Sequence, residues 1–235
     1  MLPLRWVGLA LLWIAGASAA LHAQVPFVEW ETFMSQGKAI SCAVYETGEP
    51  GATVIFLRGS SPSDLFLGRL EARFFAEQGF RVLLPDYLSA TRTTEPSPAN
   101  YRRWAQVVED IVADLRSHPI PQSKKIALVG QAMGASVALV AGGHKLAVEA
   151  IAEWYGFLPN EFFGQVQGMP PLLILHGEQD KQVPVVNARQ LVRLCELKDF
   201  TCEASFYPGE GHGFTSSALE SANQRTLTFF RTYLR

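Results

Sequence analysis

Three positions in the sequence have the types and the order that nucleophilic hydrolysis requires. The segment VGQAMGAS (129–136) contains the frame Gly-x-x-x-Gly, which surrounds the serine or cysteine nucleophile of many hydrolases, and its central residue is Ala132. An acid, Asp180, and a histidine, His212, follow in that order along the chain. In such a triad the histidine is general base and acid, and the carboxylate orients its ring and stabilises the imidazolium. A methyl group can neither attack nor be deprotonated, so the pattern predicts a hydrolytic site without its nucleophile.

Backbone amides around the same position could stabilise the oxyanion that forms during ester hydrolysis. Gly130 and Gly134 would allow a sharp turn that lifts the central side chain to the start of the following helix. The N–H of Met133 would then point at the oxyanion, assisted by the positive end of that helix. A second donor is expected from the loop after the apolar run 52–57. The candidate oxyanion or substrate-binding residues in that loop are Arg58, Gly59 and Ser60.

Two further side chains are candidates for the lining of a ligand pocket. Tyr155 ends a predicted strand beside the site, although core packing is the common role of such aromatic residues. Arg92 lies in the proline-rich segment TRTTEPSPAN (91–100), where it would either meet an anionic ligand or remain solvated. We therefore include Tyr155 and Arg92 as possible pocket residues.

Apolar runs and amphipathic segments alternate along most of the chain, and they predict the elements that position these residues. The predicted strands cover residues 26–35, 38–46, 52–59, 80–87, 124–130, 148–156, 170–178 and 201–209. The predicted helices cover residues 65–79 (with Ser61 as N-cap and Asp64 as its capping partner), 101–118, 133–143, 183–198 and 216–235.

This order of elements predicts one α/β domain with a largely parallel sheet and helices on both faces. The first two strands have no helix between them, so they are expected to form an antiparallel hairpin at one edge. Ligands of such sheets bind at the carboxyl ends of the strands. Each of Ala132, Asp180 and His212 follows a predicted strand.

The segments that carry the candidate residues resemble the dienelactone hydrolase family of the α/β-hydrolases. The resemblance covers nearly all of the chain after its N-terminal segment in element order, and it is strongest from 126 to 214. It implies an α/β-hydrolase fold, with a mostly parallel sheet and an antiparallel N-terminal edge. It also implies ester or lactone hydrolysis through an acyl-enzyme, with Asp180 and His212 as acid and base. The segments that match are LVGQAMGAS (128–136), WYG (154–156), LHGEQDKQVP (175–184) and YPGEGHGF (207–214).

The sequence departs from the family pattern at three places. Ala132 stands where the family has a cysteine or serine nucleophile, and this departure predicts lost or strongly impaired catalysis. Ser216 stands where enzymes that bind a dienelactone carboxylate have an arginine. The segment FLRGSSPSD (56–64) offers no match for the glutamate that those enzymes place after the third strand. The last two departures argue against dienelactone itself as a substrate.

Several accounts of Ala132 remain open at the level of the sequence. Removing a triad nucleophile lowers kcat by a factor on the order of 10⁶, which argues against ordinary ester hydrolysis by this chain. As the origin of Ala132 we favour a natural loss. A second account is an active carboxylesterase that is seen here as an inactivated form, with the alanine introduced to trap a complex. A third is replacement of the nucleophile by Ser60, Ser61 or Ser136, or by water that His212 activates. The functional alternative is a non-catalytic ligand-binding or interaction protein that uses the retained pocket.

The N-terminus predicts export. Residues 1–23 have one early basic residue (Arg5), continue with an apolar stretch and end in small residues, which is the order of a secretory signal peptide. Cleavage is expected after Ala19 or Ala23, and an uncleaved membrane anchor is the alternative. Residues 24–235 would then form the single domain, periplasmic or secreted, with no stable membrane span after cleavage. Because the apolar stretch is shorter than the roughly 20 residues that cross a bilayer, we favour cleavage.

Composition narrows the choice of partners and cofactors. The net charge of −2 gives no electrostatic reason to expect nucleic acid as a partner, which leaves a small ester or lactone-like molecule as the expected ligand. The sequence contains no cofactor motif and no metal-site spacing, and it gives no indication of oligomeric state. In an oxidising compartment Cys195 and Cys202 could form a disulfide that leaves Cys42 free, and the alternative is three buried thiols.

Overall fold

A computed structural model describes residues 27–48, 51–117 and 124–235 of the chain. The segment 1–23, predicted to be a signal peptide, lies outside the described residues, and its cleavage stays a prediction. Within the described part of the chain, no helix is both long enough and apolar enough to cross a bilayer.

Strands and helices alternate as the sequence predicts. The strands are Phe27–Ser35 (β1), Lys38–Glu46 (β2), Thr53–Leu57 (β3), Arg81–Pro85 (β4), Ile126–Gln131 (β5), Ala150–Trp154 (β6), Leu172–Gly177 (β7) and Cys202–Tyr207 (β8). The helices are Pro62–Glu77 (α1), Pro98–Ser117 (α2), Met133–Gly142 (α3), Asn160–Phe163 (α4), Val186–Lys198 (α5) and Ser216–Tyr233 (α6), with a short 3-10 turn at Tyr87–Ala90.

The strands described above form one sheet in the order β1-β2-β4-β3-β5-β6-β7-β8. The pairs β1–β2 and β2–β4 are antiparallel, and every later pair is parallel. This arrangement confirms the predicted α/β fold with its antiparallel N-terminal edge. Because β3 and β5 to β8 all run in the same direction, the loops that follow them meet at one edge of the sheet.

The sheet is packed on both faces, which explains why its central strands are continuously apolar. Along β3, Ile55 and Leu57 belong to a core shared with α2, α3 and α5, whereas Val54 and Phe56 belong to a core shared with α1 and α6. Successive strand residues point to opposite faces, so a strand covered on both sides needs apolar residues at every position. The predicted apolar face of α2 is buried throughout, at Trp104, Val107, Val108, Ile111, Val112 and Leu115.

Helices α2 and α5 begin at different residues from those that the sequence pattern predicts. Helix α2 begins at Pro98 and not at 101, because Ser97 Oγ accepts the N–H of Asn100 and proline suits a first helical turn. Helix α5 begins at Val186 and not at 183, because the N–H of Val183 is bound to Asp180 Oδ1 in the preceding turn. In both cases a local side-chain bond, and not the apolar pattern, fixes the boundary.

Candidate active site

Ala132 lies in the turn between β5 and α3 in a strained backbone conformation. Its φ is 49° and its ψ is −116°, a combination that favours glycine. The N–H of Ala132 donates to the carbonyl of Trp154 at 3.0 Å, and the Ala132 carbonyl accepts the N–H groups of Ala135 and Ser136. A non-glycine residue in such a region costs about 1–3 kcal/mol and persists only where the surroundings enforce it.

The two glycines of the Gly-x-x-x-Gly frame are required by close packing of this turn. A Cβ atom on Gly134 would lie 2.0 Å from the carbonyl oxygen of Leu57. A Cβ atom on Gly130 would lie 2.4 Å from the Cα of Ala135. Both distances are far below a van der Waals contact, so only glycine lets β5, the turn and α3 approach each other in this way.

Asp180 and His212 form a hydrogen-bonded pair. Asp180 follows β7, its side chain is fully buried, and its Oδ2 lies 2.8 Å from His212 Nδ1. Its Oδ1 accepts the N–H groups of Gln182 and Val183 at 2.8 Å each. A carboxylate only accepts hydrogen bonds, so Nδ1 of His212 is the donor and Nε2 is the ring nitrogen that remains for proton exchange.

Contact between two loops brings His212 to Asp180. The backbone N–H of Gln179, in the loop after β7, donates to the carbonyl of Glu210, in the loop after β8, at 2.8 Å. A Cβ atom on Gly177 would lie 2.4 Å from that same carbonyl oxygen. The glycine therefore lets the two loops touch at the position where the acid and the histidine meet.

A second histidine packs below this pair. His176, on β7, is fully buried, and its Nε2 lies 2.8 Å from the carbonyl oxygen of Val183 and 3.5 Å from Asp180 Oδ2. Burial lowers the pKa of His176, so the ring is neutral at physiological pH and donates its Nε2–H to this turn. The contact supports the loop that carries Asp180.

An open cleft of about 580 Å³ lies above the carboxyl ends of the strands. It brings together most of the candidate residues, because it is lined by Ala132, Met133, Ser60, Tyr155 and His212. The remaining lining residues are Ser61, Ser63, Asp64, Leu67, Pro96, Tyr101, Phe157, Gln182, Val183 and Gly213.

The loop after β3 reaches the cleft, but not with every candidate side chain. Gly59 is buried and so close to the turn that a Cβ atom on it would lie 3.3 Å from the Ala132 methyl. The Arg58 guanidinium does not line the cleft, since it binds the carbonyl of Gly59 at 2.8 Å and Asp86 at 3.4 Å. The Arg58 backbone is held by Tyr87, whose Oη donates to the Arg58 carbonyl at 2.7 Å.

Of the two candidate pocket residues, Tyr155 lines the cleft and Arg92 does not. Tyr155 lines the cleft with a φ of 45°, and its ring centroid lies 5.2 Å from that of His212 and 4.8 Å from that of Phe214. Burial raises the pKa of Tyr155, so its hydroxyl stays protonated. Arg92 is exposed and is not among the residues that line the cleft.

One buried acid beside the site was missed by the sequence analysis. Glu153, on β6, is fully buried, and its Oε2 accepts the N–H of Gly156 at 2.9 Å. A Cβ atom on Gly156 would lie 3.0 Å from the Ala132 carbonyl oxygen, so Glu153 holds the strand end that packs against the turn. Burial raises the pKa of Glu153 to about 8. The available signal was a single charged residue in the otherwise apolar strand AIAEW (150–154).

The cysteines take one of the two arrangements that the sequence left open. Cys195, on α5, is joined to Cys202, on β8, by a disulfide, and Cys42 is a free buried thiol. Among the described residues no cluster of histidine, cysteine or carboxylate side chains has the composition of a metal site.

Comparison with solved structures first shows the class of fold. The dienelactone hydrolase of Anabaena variabilis has the same fold with a TM-score of 0.73 at 21% identity, and the match covers 90% of this chain and 100% of that one. Esterase 2 of Thermogutta terrifontis matches with a TM-score of 0.69 at 15% identity, over 89% and 96% of the two chains. Both likenesses show an α/β-hydrolase fold.

Sequence comparison then gives the family. The model of the dienelactone hydrolase family matches residues 69–234, and the chain therefore belongs to this family. A Methylorubrum extorquens protein named "Putative carboxymethylenebutenolidase" is 26% identical over an alignment of 122 residues that covers 47% of this chain. The match spans only 42% of that relative's own length.

Proposed function

We propose that this protein is a hydrolase of the dienelactone hydrolase family that has lost its nucleophile at Ala132 and binds a small ester or lactone-like ligand without efficient turnover. The observation that carries this proposal is the 2.8 Å contact between Asp180 and His212 beside a cleft that Ala132 also lines.

Side chains and backbone groups suited to assist a nucleophile support the proposal. His212, held by Asp180, could take a proton from a hydroxyl or thiol in the cleft and return it to the leaving group. Met133 begins α3, and the first N–H groups of a helix have no intrahelical acceptor, so they are suited to an oxyanion. Gly59 carries no side chain, so the loop after β3 can approach the Ala132 methyl closely.

The contacts of nearby serines argue against a replacement nucleophile. Ser136 is fully buried, and its Oγ accepts the N–H of Phe157 at 3.3 Å. Ser61 Oγ accepts the N–H of Asp64 at 3.1 Å as the cap of α1. Of the three serines considered from the sequence, only Ser60 lines the cleft without such a bond. These contacts argue against Ser61 and Ser136 as relocated nucleophiles and leave Ser60 as the one of the three that remains available.

The second candidate is an active carboxylesterase of which this chain is an inactivated form. The strained backbone of Ala132 favours this second candidate. A φ of 49° costs stability, and that cost has a purpose only where the residue has a catalytic role. The two candidates differ in what a restored nucleophile would achieve. A long-lost activity would return weakly, whereas an inactivated enzyme would return to a kcat/KM in the range of about 10⁴–10⁸ M⁻¹s⁻¹.

The test is to assay the protein, Ala132→Ser and Ala132→Cys against p-nitrophenyl esters of short acids. We expect the native chain to be inactive and at least one variant to raise the rate by a factor on the order of 10³ or more. The matched control is Ala132→Ser combined with His212→Ala, in which the gain must vanish. Robust activity of the native chain that His212→Ala abolishes would instead show a water mechanism or another nucleophile.

We also propose export for the whole chain. The order of residues in segment 1–23 supports it, and so does the Cys195–Cys202 disulfide, because disulfides persist in oxidising compartments. The mass of the chain recovered from a secreting bacterial host tests the proposal. Loss of 19 or 23 residues is expected from the positions of Ala19 and Ala23. An intact chain that stays in the cytoplasm would contradict it.

A further inference from the structure

A second cavity, of about 420 Å³, adjoins the cleft. It shares Leu67, Tyr155, His212 and Gly213 with the cleft, so a ligand at Ala132 could extend past the His212 ring into it. Its other lining residues include Glu71 of α1, Gln131 at the end of β5, and Glu210 and Phe214 from the loop after β8.

Three buried polar side chains in this cavity have unused hydrogen-bonding capacity. Glu71 is 5% exposed, Asn223 binds its carboxylate, and its Oε2 is buried with no partner among the described residues. Gln131 is 2% exposed, and its side-chain amide binds no other residue that the structure describes. The hydroxyl of Tyr155 likewise has no hydrogen-bond partner in the described chain. A buried carboxylate oxygen without a partner is costly, and a ligand that binds it recovers that cost.

The charge around the two cavities has one sign. Glu71 and Glu210 line the second cavity, Asp64 lines the cleft, and Asp180 is buried beside His212. None of the described residues that line either cavity is a lysine or an arginine. Such a surface repels a carboxylate and attracts a cation.

We propose that the second cavity binds the ammonium group of an amine-bearing ester whose carbonyl lies at Ala132; this inference rests on the proposed function. An ammonium has three N–H donors, and the cavity offers three acceptors in the Glu71 carboxylate, the Gln131 amide oxygen and the Tyr155 hydroxyl. The rings of Tyr155 and Phe214 add aromatic faces that attract a cation. Burial raises the pKa of Glu71, and a bound cation would favour its ionised form.

The test measures binding to the native Ala132 chain by calorimetry with three ligands of similar shape. β-Alanine ethyl ester is the cation, ethyl butanoate is its neutral isostere and monoethyl succinate is its anionic isostere. Longer homologues of the same three ligands are also tested, so that the ester can lie in the cleft while the charged end reaches the second cavity. We expect the cation to bind roughly tenfold or more tightly than the neutral ester, as is typical of a charge-assisted hydrogen bond, and the anion to bind least.

Two variants test whether Glu71 is responsible for the preference for the cationic ester. Glu71→Gln keeps an oxygen acceptor for Asn223 but removes the charge, and it is expected to reduce the cation preference to within about threefold. Glu77→Gln is the matched control, because Glu77 is an exposed acid on the same helix, paired with Arg73. It should keep the full preference. Circular dichroism of both variants checks that they fold.

The outcomes separate this inference from the proposed function. Equal binding of the cation and the neutral ester, or a preference that survives Glu71→Gln, would overturn the ammonium site and leave the proposed function standing. Absence of binding by all three ligands would overturn both.

Discussion

Ala132 combines a strained backbone with a side chain that performs no chemistry. Its positive φ is enforced by the close approach of Gly134 to Leu57 and by the hydrogen bond from its own N–H to Trp154. In an enzyme this strain presents a nucleophile at the apex of the turn. On the function proposed above, the strain remains without a nucleophile to present, so the turn would reduce stability without contributing to catalysis.

Ala132→Gly is therefore expected to stabilise the protein. Glycine adopts this conformation without strain, and after subtracting its larger entropy in the unfolded chain we expect a gain of about 1 kcal/mol. That gain corresponds to a rise of roughly 2–4 °C in Tm for a domain of this size. Calorimetric melting measures it. Ala138→Gly, inside α3, is the control and should lower Tm instead, and a fall in Tm for Ala132→Gly would contradict the strain argument.

At the scale of elements, the disulfide fixes the end of α5 to the start of β8. The connection between them is short, and it turns through Asp199, whose φ is 56°. Among the strands that the structure describes, β8 lies at an edge and pairs with β7 alone, and its following loop carries His212. The Cys195–Cys202 bridge thus secures the least supported strand of those that position the site.

Reduction of this bridge is expected to lower the free energy of unfolding. Cys195 and Cys202 are seven residues apart in the sequence. Closing a loop of that length lowers the entropy of the unfolded chain, which stabilises the folded protein by about 2–3 kcal/mol. Urea unfolding with and without dithiothreitol measures the difference. A Cys195→Ala, Cys202→Ala double variant is the control, since its stability should not respond to the reductant. An equal response of both proteins would show that the bridge does not stabilise the fold.

At the scale of the whole molecule, the fold could be predicted because the sequence patterns that indicate strands and helices are local. Continuous apolar runs such as Thr53–Leu57 mark strands covered on both faces, and the α2 stripe marks a helix with one buried side. The 3-10 turn Tyr87–Ala90 and the short helix Asn160–Phe163 carry no comparable periodicity, and the sequence did not predict them. Their lengths are too short for an apolar stripe to develop.

The site was predictable only in part. The order of Ala132, Asp180 and His212 is visible in the sequence, since each follows a strand. The roles of Glu71 and Glu153 depend on burial and on contacts between residues far apart in the chain, and neither leaves a motif. The direction of the Arg58 side chain was also hidden, because its pairing with Asp86 depends on how β3 lies beside β4.

Glu153 makes the stability of the whole molecule depend on pH. Its pKa is about 8 in the folded protein, against an ordinary value of 4.5, so between these pH values the folded state holds a proton that the unfolded state releases. Stability therefore falls as pH rises from about 4.5 to 8, by an amount on the order of a few kcal/mol, and is unaffected by this group below that window.

Glu153→Gln is expected to remove this contribution. The amide oxygen of glutamine can still accept the N–H of Gly156, and the side chain does not ionise. Urea unfolding at a series of pH values should give a flatter profile for the variant, with the largest gain near pH 8. Glu203→Gln, at an exposed position on β8, is the control and should keep the native slope. A steep profile in the Glu153 variant would assign the pH dependence to other groups.

On the proposed function, Asp180 and His212 are assembled around a position that lacks only its nucleophile. Intact-mass measurement after incubation with a fluorophosphonate, which labels an activated serine, tests it most directly. We expect no label on the native chain, one label on Ala132→Ser that maps to the substituted residue, and none when His212→Ala is added. A label on the native chain, or an unlabelled and correctly folded Ala132→Ser variant, would contradict it.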